Sequence, residues 1–481
     1  MNWADLNLIP AMPEIVLLVA LCVVLLIDVI FSHKAKWLAY GLSLVTLVVV
    51  AGFQFKAGDV TPTMTFSDMF VSDSLSQVAK FAMYIATFFL FIYSRPYLQS
   101  RDIYQGEFYT LSLFSLLGMA IMVSSNHFLV LYIGLELMSL ALYALIALRR
   151  DHPQASEAAF KYFVLGALSS GLLLYGMSLV YGGTGSLYLT DMVAGLSDGT
   201  ANTTLTQFGL VFVVVGLAFK LGTVPFHMWV PDVYEGAPSI MGAFLGAAPK
   251  IASVIFMFRI LVMGLSPLAD QWVPMLNLLA IASLLVGNLS AIMQTNVKRM
   301  LAYSTISHMG FVVLGFMGDL LGYQAAMIYT LTYVVMSVAA FGVLMILSTK
   351  EHECEKLTDL AGLNSTHPWL AFLMLLTMFS MAGIPPLLGF YAKFAIIQAL
   401  LAQGYLWVSV FAVIMSLIGA FYYLRVVKVM YFDQPSETLN QVNMSWEVKL
   451  FLSINALALL ALGIMPNVLV EWSTQAFQFL L

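Results

Sequence analysis

Fourteen apolar segments, each near the length of about 20 residues that a helix needs to cross a hydrocarbon layer, occupy most of this 481-residue chain. They run over residues 12–31, 37–55, 75–95, 107–124, 127–148, 157–181, 206–232, 239–264, 272–294, 300–318, 323–348, 368–404, 405–432 and 446–472. In lipid, backbone amides and carbonyls must find partners inside the protein, so runs of this length imply spanning helices. The expected fold is an all-α polytopic membrane protein. Composition agrees along the whole length and not only at one anchor. Charged residues make up 9%, where a soluble domain carries about 25%. The net charge of -5 is a small remainder, and no nucleic-acid partner is expected. The two cysteines, Cys22 in an apolar run and Cys354 in a charged loop, lack metal-ligand spacing. CxxC, GxGxxG and P-loop patterns do not occur, so no redox cofactor, metal or nucleotide is expected on this chain. The first residues lack a basic region and a cleavage site, which makes the first apolar run an expected retained span.

The distribution of basic residues orients the spans. Numbered in order, the odd connections hold thirteen Lys and Arg between Lys34 and Lys449, and the even side holds Lys56, Lys80 and Arg259. The odd connections are therefore expected to face the cytoplasm and both termini the other side of the membrane. Four lysines remain, Lys161, Lys220, Lys250 and Lys393, and all fall inside apolar segments with one acid, Glu136. A charge at the bilayer centre costs about 2.5–3.5 kcal/mol on the insertion scale, so each is a functional candidate.

Two segments are too long for one straight helix. The seventh breaks at "GTVP" (222–225) and the twelfth at "GIPP" (383–386). Proline lacks an amide hydrogen, so the carbonyls of Leu221 and Ala382 lose their helical partners. Matched breaks five spans apart suggest inverted repeats, because an odd interval reverses orientation. The expected division is an N-terminal three-helix part (1–106), a first repeat (107–268), a second repeat (269–432) and a C-terminal span (433–481).

Lys220, in "GLAFKLGTVPFHMWVP" (216–231), precedes the first break, with Glu136 as its natural counter-ion. Burial disfavours an ammonium, so such a lysine can release and regain a proton. A structural Glu–Lys pair is the bland alternative, but buried ion pairs are poor net stabilisers. Lys161 lies about one turn inside its span, where snorkelling to the interface competes with a functional role. Lys250 follows Pro249, and Lys393 follows the second break. His227 follows the first break, and His308 shares a helical face with Ser304. Tyr329, Tyr333 and Ser337 form one stripe that either holds water or simply bonds between helices. Bis-histidine haem ligation by His227 and His308 has no other support.

On these residues the chain resembles the antiporter-like membrane subunits of proton-pumping NADH:quinone oxidoreductase, respiratory complex I. The resemblance covers essentially the whole sequence and is carried by the lone Glu136, by "FKLGTVPFHMWVPDVYEGAPS" (219–239), by Lys250 and by the broken twelfth span with Lys393. The same fold serves subunits of Mrp-type sodium/proton antiporters, which is the alternative reading. Relatives in the middle and distal positions usually read like "THALFKALLF" in the eleventh span; here "LTYVVMSVAAF" (331–341) puts Tyr333 and Ser337 at the His and Lys positions. The middle relative usually has glutamate where Lys393 stands. The chain therefore resembles the quinone-proximal antiporter-like subunit. The resemblance implies Glu136 and Lys220 as a coupled pair, Lys161 and Lys250 as connectors, and Lys393 as the gate toward the periplasmic half. It also implies that FMN, iron–sulfur clusters and quinone belong to other subunits. The implied neighbours are the middle antiporter-like subunit and the small quinone-proximal membrane subunits, within the lipid bilayer.

Overall fold

The computed structural model describes residues 7–31, 36–56, 62–350, 352–435 and 445–478. Lys34, one of the basic residues used to orient the spans, lies outside them. The chain opens with α1 (Met12–Phe31), α2 (Lys36–Lys56) and α3 (Ser74–Ser100), with a small antiparallel hairpin, β1 (Thr63–Thr65) and β2 (Phe70–Ser72), ahead of α3. Next come α4 (Glu107–Val123), α5 (Phe128–Ile146), α6 (Pro153–Thr184) and a short helix that the sequence did not announce, α7 (Leu189–Ser197). The seventh apolar segment becomes α8 (Thr203–Leu221) and α9 (Trp229–Gly236). The eighth becomes α10 (Ser239–Leu245) and α11 (Ala248–Met257), continued by a π-helical turn over Phe258–Gly264. The remainder is α12 (Ala269–Ile292), α13 (Val297–Gly315), α14 (Asp319–Leu347), α15 (Leu363–Thr366), α16 (Pro368–Ala382), α17 (Leu388–Ala402), α18 (Leu406–Phe432), α19 (Trp446–Ile464) and α20 (Asn467–Ala476).

Among the described residues, eleven helices are long and apolar enough to cross a membrane, and α4, α16 and α17 are shorter apolar helices. The segment at 300–318 forms α13, which is long enough but carries Ser304, Thr305, Ser307 and His308. The protein is thus an α-helical integral membrane protein.

Local signals account for the starts and stops. Asp73 accepts a bond from the Ser76 amide while the Ser76 hydroxyl lies against the Asp73 amide, a reciprocal cap that begins α3. Asn202 and Asn296 cap α8 and α13 by accepting from the amides of Leu205 and Arg299. Both broken segments stop in the same way. Gly222 (φ 77°) ends α8 and Gly383 (φ 87°) ends α16, each in the left-handed conformation that glycine adopts without a Cβ penalty. In each case the amides of this glycine and its successor bond back to one carbonyl, that of Ala218 or of Phe379.

Helix α14 lies at the centre, enclosed by α3, α10, α11, α13, α16, α17, α19 and α20. Helix α1 lies at the edge, with Leu26 59% and Val29 68% exposed, as expected of a surface facing lipid or a neighbouring subunit.

Three sequence readings need correction. Lys80 and Arg259, counted above with the connections, lie in α3 and in the π-helical turn and are fully buried. Glu136 is half-buried and is not the lone acid inside the bundle, since Glu14 and Asp73 are buried as partners of those two cations. Cys354 is not displayed on its loop but is 1% exposed. The loop is folded down by Glu353, whose Oε1 accepts from Tyr97 (2.7 Å) and from the Ser239 amide (3.1 Å) and hydroxyl (2.8 Å). Arg101 lies 3.2 Å from Oε2, and Lys298 lies 3.6 Å from Oε1.

Candidate functional site

The two carbonyls orphaned by proline are both occupied by lysines. Lys250 reaches back from α11 and donates to the Leu221 carbonyl at 2.8 Å. Lys393 reaches back from α17 and donates to the carbonyls of Met381 (3.1 Å) and Ala382 (2.9 Å). A helix C-terminus carries partial negative charge, so both ammonium groups sit where the broken helix attracts a cation. Each helix end is also closed from a second side. Trp229 Nε1 donates to the Phe219 carbonyl at 3.0 Å, and Lys250 Nζ lies 5.5 Å from the Trp229 ring centroid. At the second break Lys393 also donates to the Ser416 hydroxyl at 2.9 Å. A Cβ on Gly383 would stand 2.9 Å from Lys393 Cδ, so the glycine is needed for the lysine's approach as well as for its own backbone angle.

Lys220 stands in the last turn of α8, one residue before Leu221, and is 6% exposed. Its ammonium donates to the Ser139 hydroxyl at 2.9 Å, and that hydroxyl donates on to the Leu135 carbonyl at 2.6 Å. Ser139 is one helical turn beyond Glu136 on α5. The Glu136 carboxylate is half-buried, with Oε1 lacking a hydrogen-bond partner among the described residues. It is electrostatically coupled to Lys220 but forms no ion pair with it within 4.0 Å. The expected pair is therefore a three-membered arrangement, with a serine beside the lysine and the carboxylate further off.

Toward the second break, hydroxyls and one imidazole form two short chains. Thr305 and Tyr333 share a bond at 2.7 Å. His308 holds Tyr329 on Nδ1 at 2.8 Å and Tyr423 on Nε2 at 3.0 Å, and Tyr423 is bonded to Ser304. An imidazole with a hydroxyl on each nitrogen can accept a proton on one side and give one up on the other. Phe311 stacks on Tyr329, with ring centroids 5.5 Å apart, and Lys393 Nζ lies 5.6 Å from the Phe311 centroid, which brings the chain up to the second break. Ser337, on the same stripe as Tyr329 and Tyr333, is buried with its hydroxyl unpartnered among the described residues.

The other candidates lie elsewhere. The Lys161 side chain is 42% exposed and pairs with Asp232 (2.8 Å) and Glu157 (2.9 Å). Asp232 in turn meets Arg299, which also meets Glu235, so Lys161 belongs to a polar network at the rim of the bundle. His227 is half-buried in the stretch between α8 and α9.

Sequence reasoning missed Ser139, Ser416 and Tyr423. A serine or tyrosine in an apolar run is too common to single out, and each is joined to its lysine or histidine only by the tertiary fold. It also missed the buried pairs Glu14–Lys80 and Asp73–Arg259. The signal for Lys80 was present, because it stands six residues inside a segment read as apolar.

Known proteins share this architecture. The transmembrane family of NADH:quinone oxidoreductase and Mrp antiporters matches residues 125–419. NADH-quinone oxidoreductase subunit N of Neisseria gonorrhoeae is 58% identical over 479 residues, which cover 99% of each chain. Its counterpart in Thiobacillus denitrificans is 53% identical over 468 residues, 97% of each chain. Among solved structures, a chain of respiratory complex I from Thermus thermophilus superposes with a TM-score of 0.82 at 31% identity, covering 95% of this chain and 98% of that one. A chain of the Mrp complex from Dietzia sp. superposes at 0.84 but with 20% identity, covering 98% of this chain and 97% of that one, which is a likeness of fold alone. With identity above one half to subunits N along nearly its whole length, the chain belongs to the subunit N family of NADH-quinone oxidoreductases, within the wider family of membrane subunits shared with Mrp antiporters.

Proposed function

We propose that this chain moves protons across a bacterial inner membrane as a membrane-arm subunit of NADH:quinone oxidoreductase, through Glu136, Lys220, Lys250, His308 and Lys393. The observation that supports this most is the pair of lysines on the orphaned carbonyls of two broken helices, with Lys220 one residue from the first of those carbonyls. An ammonium on a helix C-terminus is held by charge and by hydrogen bond. After giving up its proton it keeps only a weak neutral bond. Loading and unloading a lysine therefore changes how firmly the break is closed, and a neighbouring charge shifts that balance. Two unit charges about 4 Å apart at intermediate dielectric interact by about 4 kcal/mol and by less at longer range, which still shifts a lysine between its two states. Glu136 supplies that charge to Lys220, with the Ser139 hydroxyl holding the ammonium in place. The Thr305–Tyr333 and Tyr329–His308–Tyr423 bonds carry the proton toward Lys393, the gate of the second half. Lys161, as a connector held by Asp232 and Glu157, and His227, in the stretch between α8 and α9, belong to the same path.

The finer architecture belongs to the same reading. Fourteen crossings, counting α4, α13 and the broken α16–α17, place both termini in the periplasm, with residues 107–268 and 269–432 as inverted repeats. The matching closures at Gly222 and Gly383 support the repeat. FMN, iron–sulfur clusters and quinone are carried by other subunits. The neighbours are the middle antiporter-like subunit on one side and the small quinone-proximal subunits on the other. A role in an Mrp-type antiporter is less well supported, because the likeness to the Mrp complex is one of fold, whereas the sequence follows subunits N.

The test uses the assembled complex in sealed vesicles. Lys220→Ala is expected to abolish most NADH-driven proton uptake, and Lys220→Arg to pump less than wild type, because arginine keeps its proton at any accessible pH. Normal pumping by both variants would leave Lys220 a structural residue.

A further inference from the structure

Two ion pairs are buried outside the line just described, both involving α3 or its cap, and they differ in how their charges are satisfied. Arg259 grips Asp73 with two bonds, at 2.6 and 2.7 Å. Its Nε and Nη2 also donate to the Val123 carbonyl at 3.1 and 3.0 Å, while Asp73 accepts from the Ser76 amide at 2.9 Å. Nearly every donor and acceptor has an address, so this is a fixed charge pair that clamps the start of α3 to α4 and the π-helical turn.

Glu14 and Lys80 are built otherwise. Glu14, in the first turn of α1, lies 2.5 Å from the Lys80 ammonium, with side chains 7% and 0% exposed. Beyond the ammonium, the carboxylate has only its own backbone amide close by, and the ammonium has no other hydrogen-bond acceptor among the described residues. An ammonium has three hydrogens to place and a carboxylate about four lone-pair sites, so most of both are left unused here. The other neighbour of the ammonium is the Phe70 ring, 5.1 Å to its centroid. One turn along α3, the Tyr84 hydroxyl is buried and has no hydrogen-bond partner among the described residues. A desolvated pair with so few supporting bonds is poor as a structural clamp. The same poverty brings its ionised and neutral forms close together in energy.

From this geometry we propose that Glu14, Lys80 and the Tyr84 hydroxyl form a second proton-exchanging site, at the end of the bundle where α1 begins and apart from the Lys220–Lys393 line. Within the pair, ammonium and carboxylate become amine and carboxylic acid with no change of net charge. One proton taken from water then gives ammonium and carboxylic acid, and its release restores the ion pair. Tyr84 supplies the hydroxyl that either neutral partner can bond.

The experiment uses the assembled complex in vesicles, with two readouts: infrared difference spectra during NADH turnover, which report carboxyl protonation, and protons taken up per NADH. Glu14→Gln is expected to lose one carboxyl signal and to lower the proton ratio. The double variant Glu14→Leu with Lys80→Met leaves no unpaired charge and so is expected to assemble, while keeping the lowered ratio. An unchanged carboxyl spectrum in Glu14→Gln would overturn the proposal, and so would a double variant that pumps like wild type. Lys220→Ala in the same assay keeps the two ideas apart: scaled to the NADH oxidised, the Glu14 carboxyl signal is expected to stay in place whether or not Lys220 itself carries protons.

Discussion

Glu353 offers a quantitative test of how the loop after α14 is held. Burial by itself would raise its carboxyl, but Lys298, the Tyr97 hydroxyl, Arg101 and Ser239 together push it down to about 2 from the ordinary 4.5. That difference amounts to roughly 3 kcal/mol favouring the folded arrangement when the group is ionised. The side chain is 11% exposed, so little of this is screened away. Because the folded value lies below the unfolded one, the contribution is complete above pH 4.5 and fades as pH falls toward 2. Glu353→Gln keeps the shape but removes the charge, leaving Arg101 without its anion, while Lys298 retains Glu355 at 2.8 Å. The expected loss at neutral pH is therefore about 2–4 kcal/mol, toward the lower part of the range for breaking a buried pair. The assay is thermal unfolding of the detergent-solubilised complex, followed by the loss of its monodisperse peak at a series of pH values. The variant should melt at lower temperature at pH 7, and the gap should narrow on acidification below pH 4.5. Equal melting at neutral pH, or a gap that widens in acid, would refute the reasoning.

Lys393→Met is expected to impair proton uptake and NADH:quinone turnover together, because a stalled proton step holds back the redox step. Ser337→Ala should be nearly silent, since the hydroxyl it removes has no hydrogen-bond partner among the described residues; a defect as deep as that of Lys393→Met would put Ser337 itself on the proton path. Burial, and then the carboxylates of Asp359, Glu353 and Glu355, hold the Cys354 thiol well above its ordinary value, and the thiolate is the reactive form. Maleimide should leave Cys354 unmodified until the protein is denatured. A cysteine placed at the exposed Lys350 should react with an impermeant maleimide from the cytoplasmic side, and labelling from the periplasm would invert the proposed topology.

Much of the frame was legible because membrane helices announce themselves by length. Residues 12–31 were read to the residue as α1. The breaks were legible for a sharper reason: proline names the carbonyl that it orphans, so Leu221 and Ala382 could be marked from the sequence. Which donor would fill them could not, since Lys250 lies 29 residues from Leu221 along the chain. The choice of Ser139 as the partner of Lys220 was hidden likewise, being 81 residues distant. Glu14 and Lys80 were illegible as a pair for the same reason, and the tally of loop charges concealed Lys80 further. Periodicity gave little help. In a membrane both the packed and the lipid-facing sides of a helix are apolar, so a buried helix such as α14 and an edge helix such as α1 read alike. Helix α7 went unread because nine residues carry too few apolar positions to establish a period.

The closure of the second break also decides what could stand in for Lys393. The side chain at that position meets two carbonyl oxygens, which only accept hydrogen bonds, and a hydroxyl that can do either. A lysine can bond all three in either state: the cation donates to each, and the neutral amine donates to both carbonyls and accepts from the hydroxyl. A glutamate in the same place would have a hydrogen to offer only as the acid, so its resting state would be neutral. Exchanging the two would therefore change the proton-loaded site from positive to neutral, with the helix end itself as the group that feels the difference.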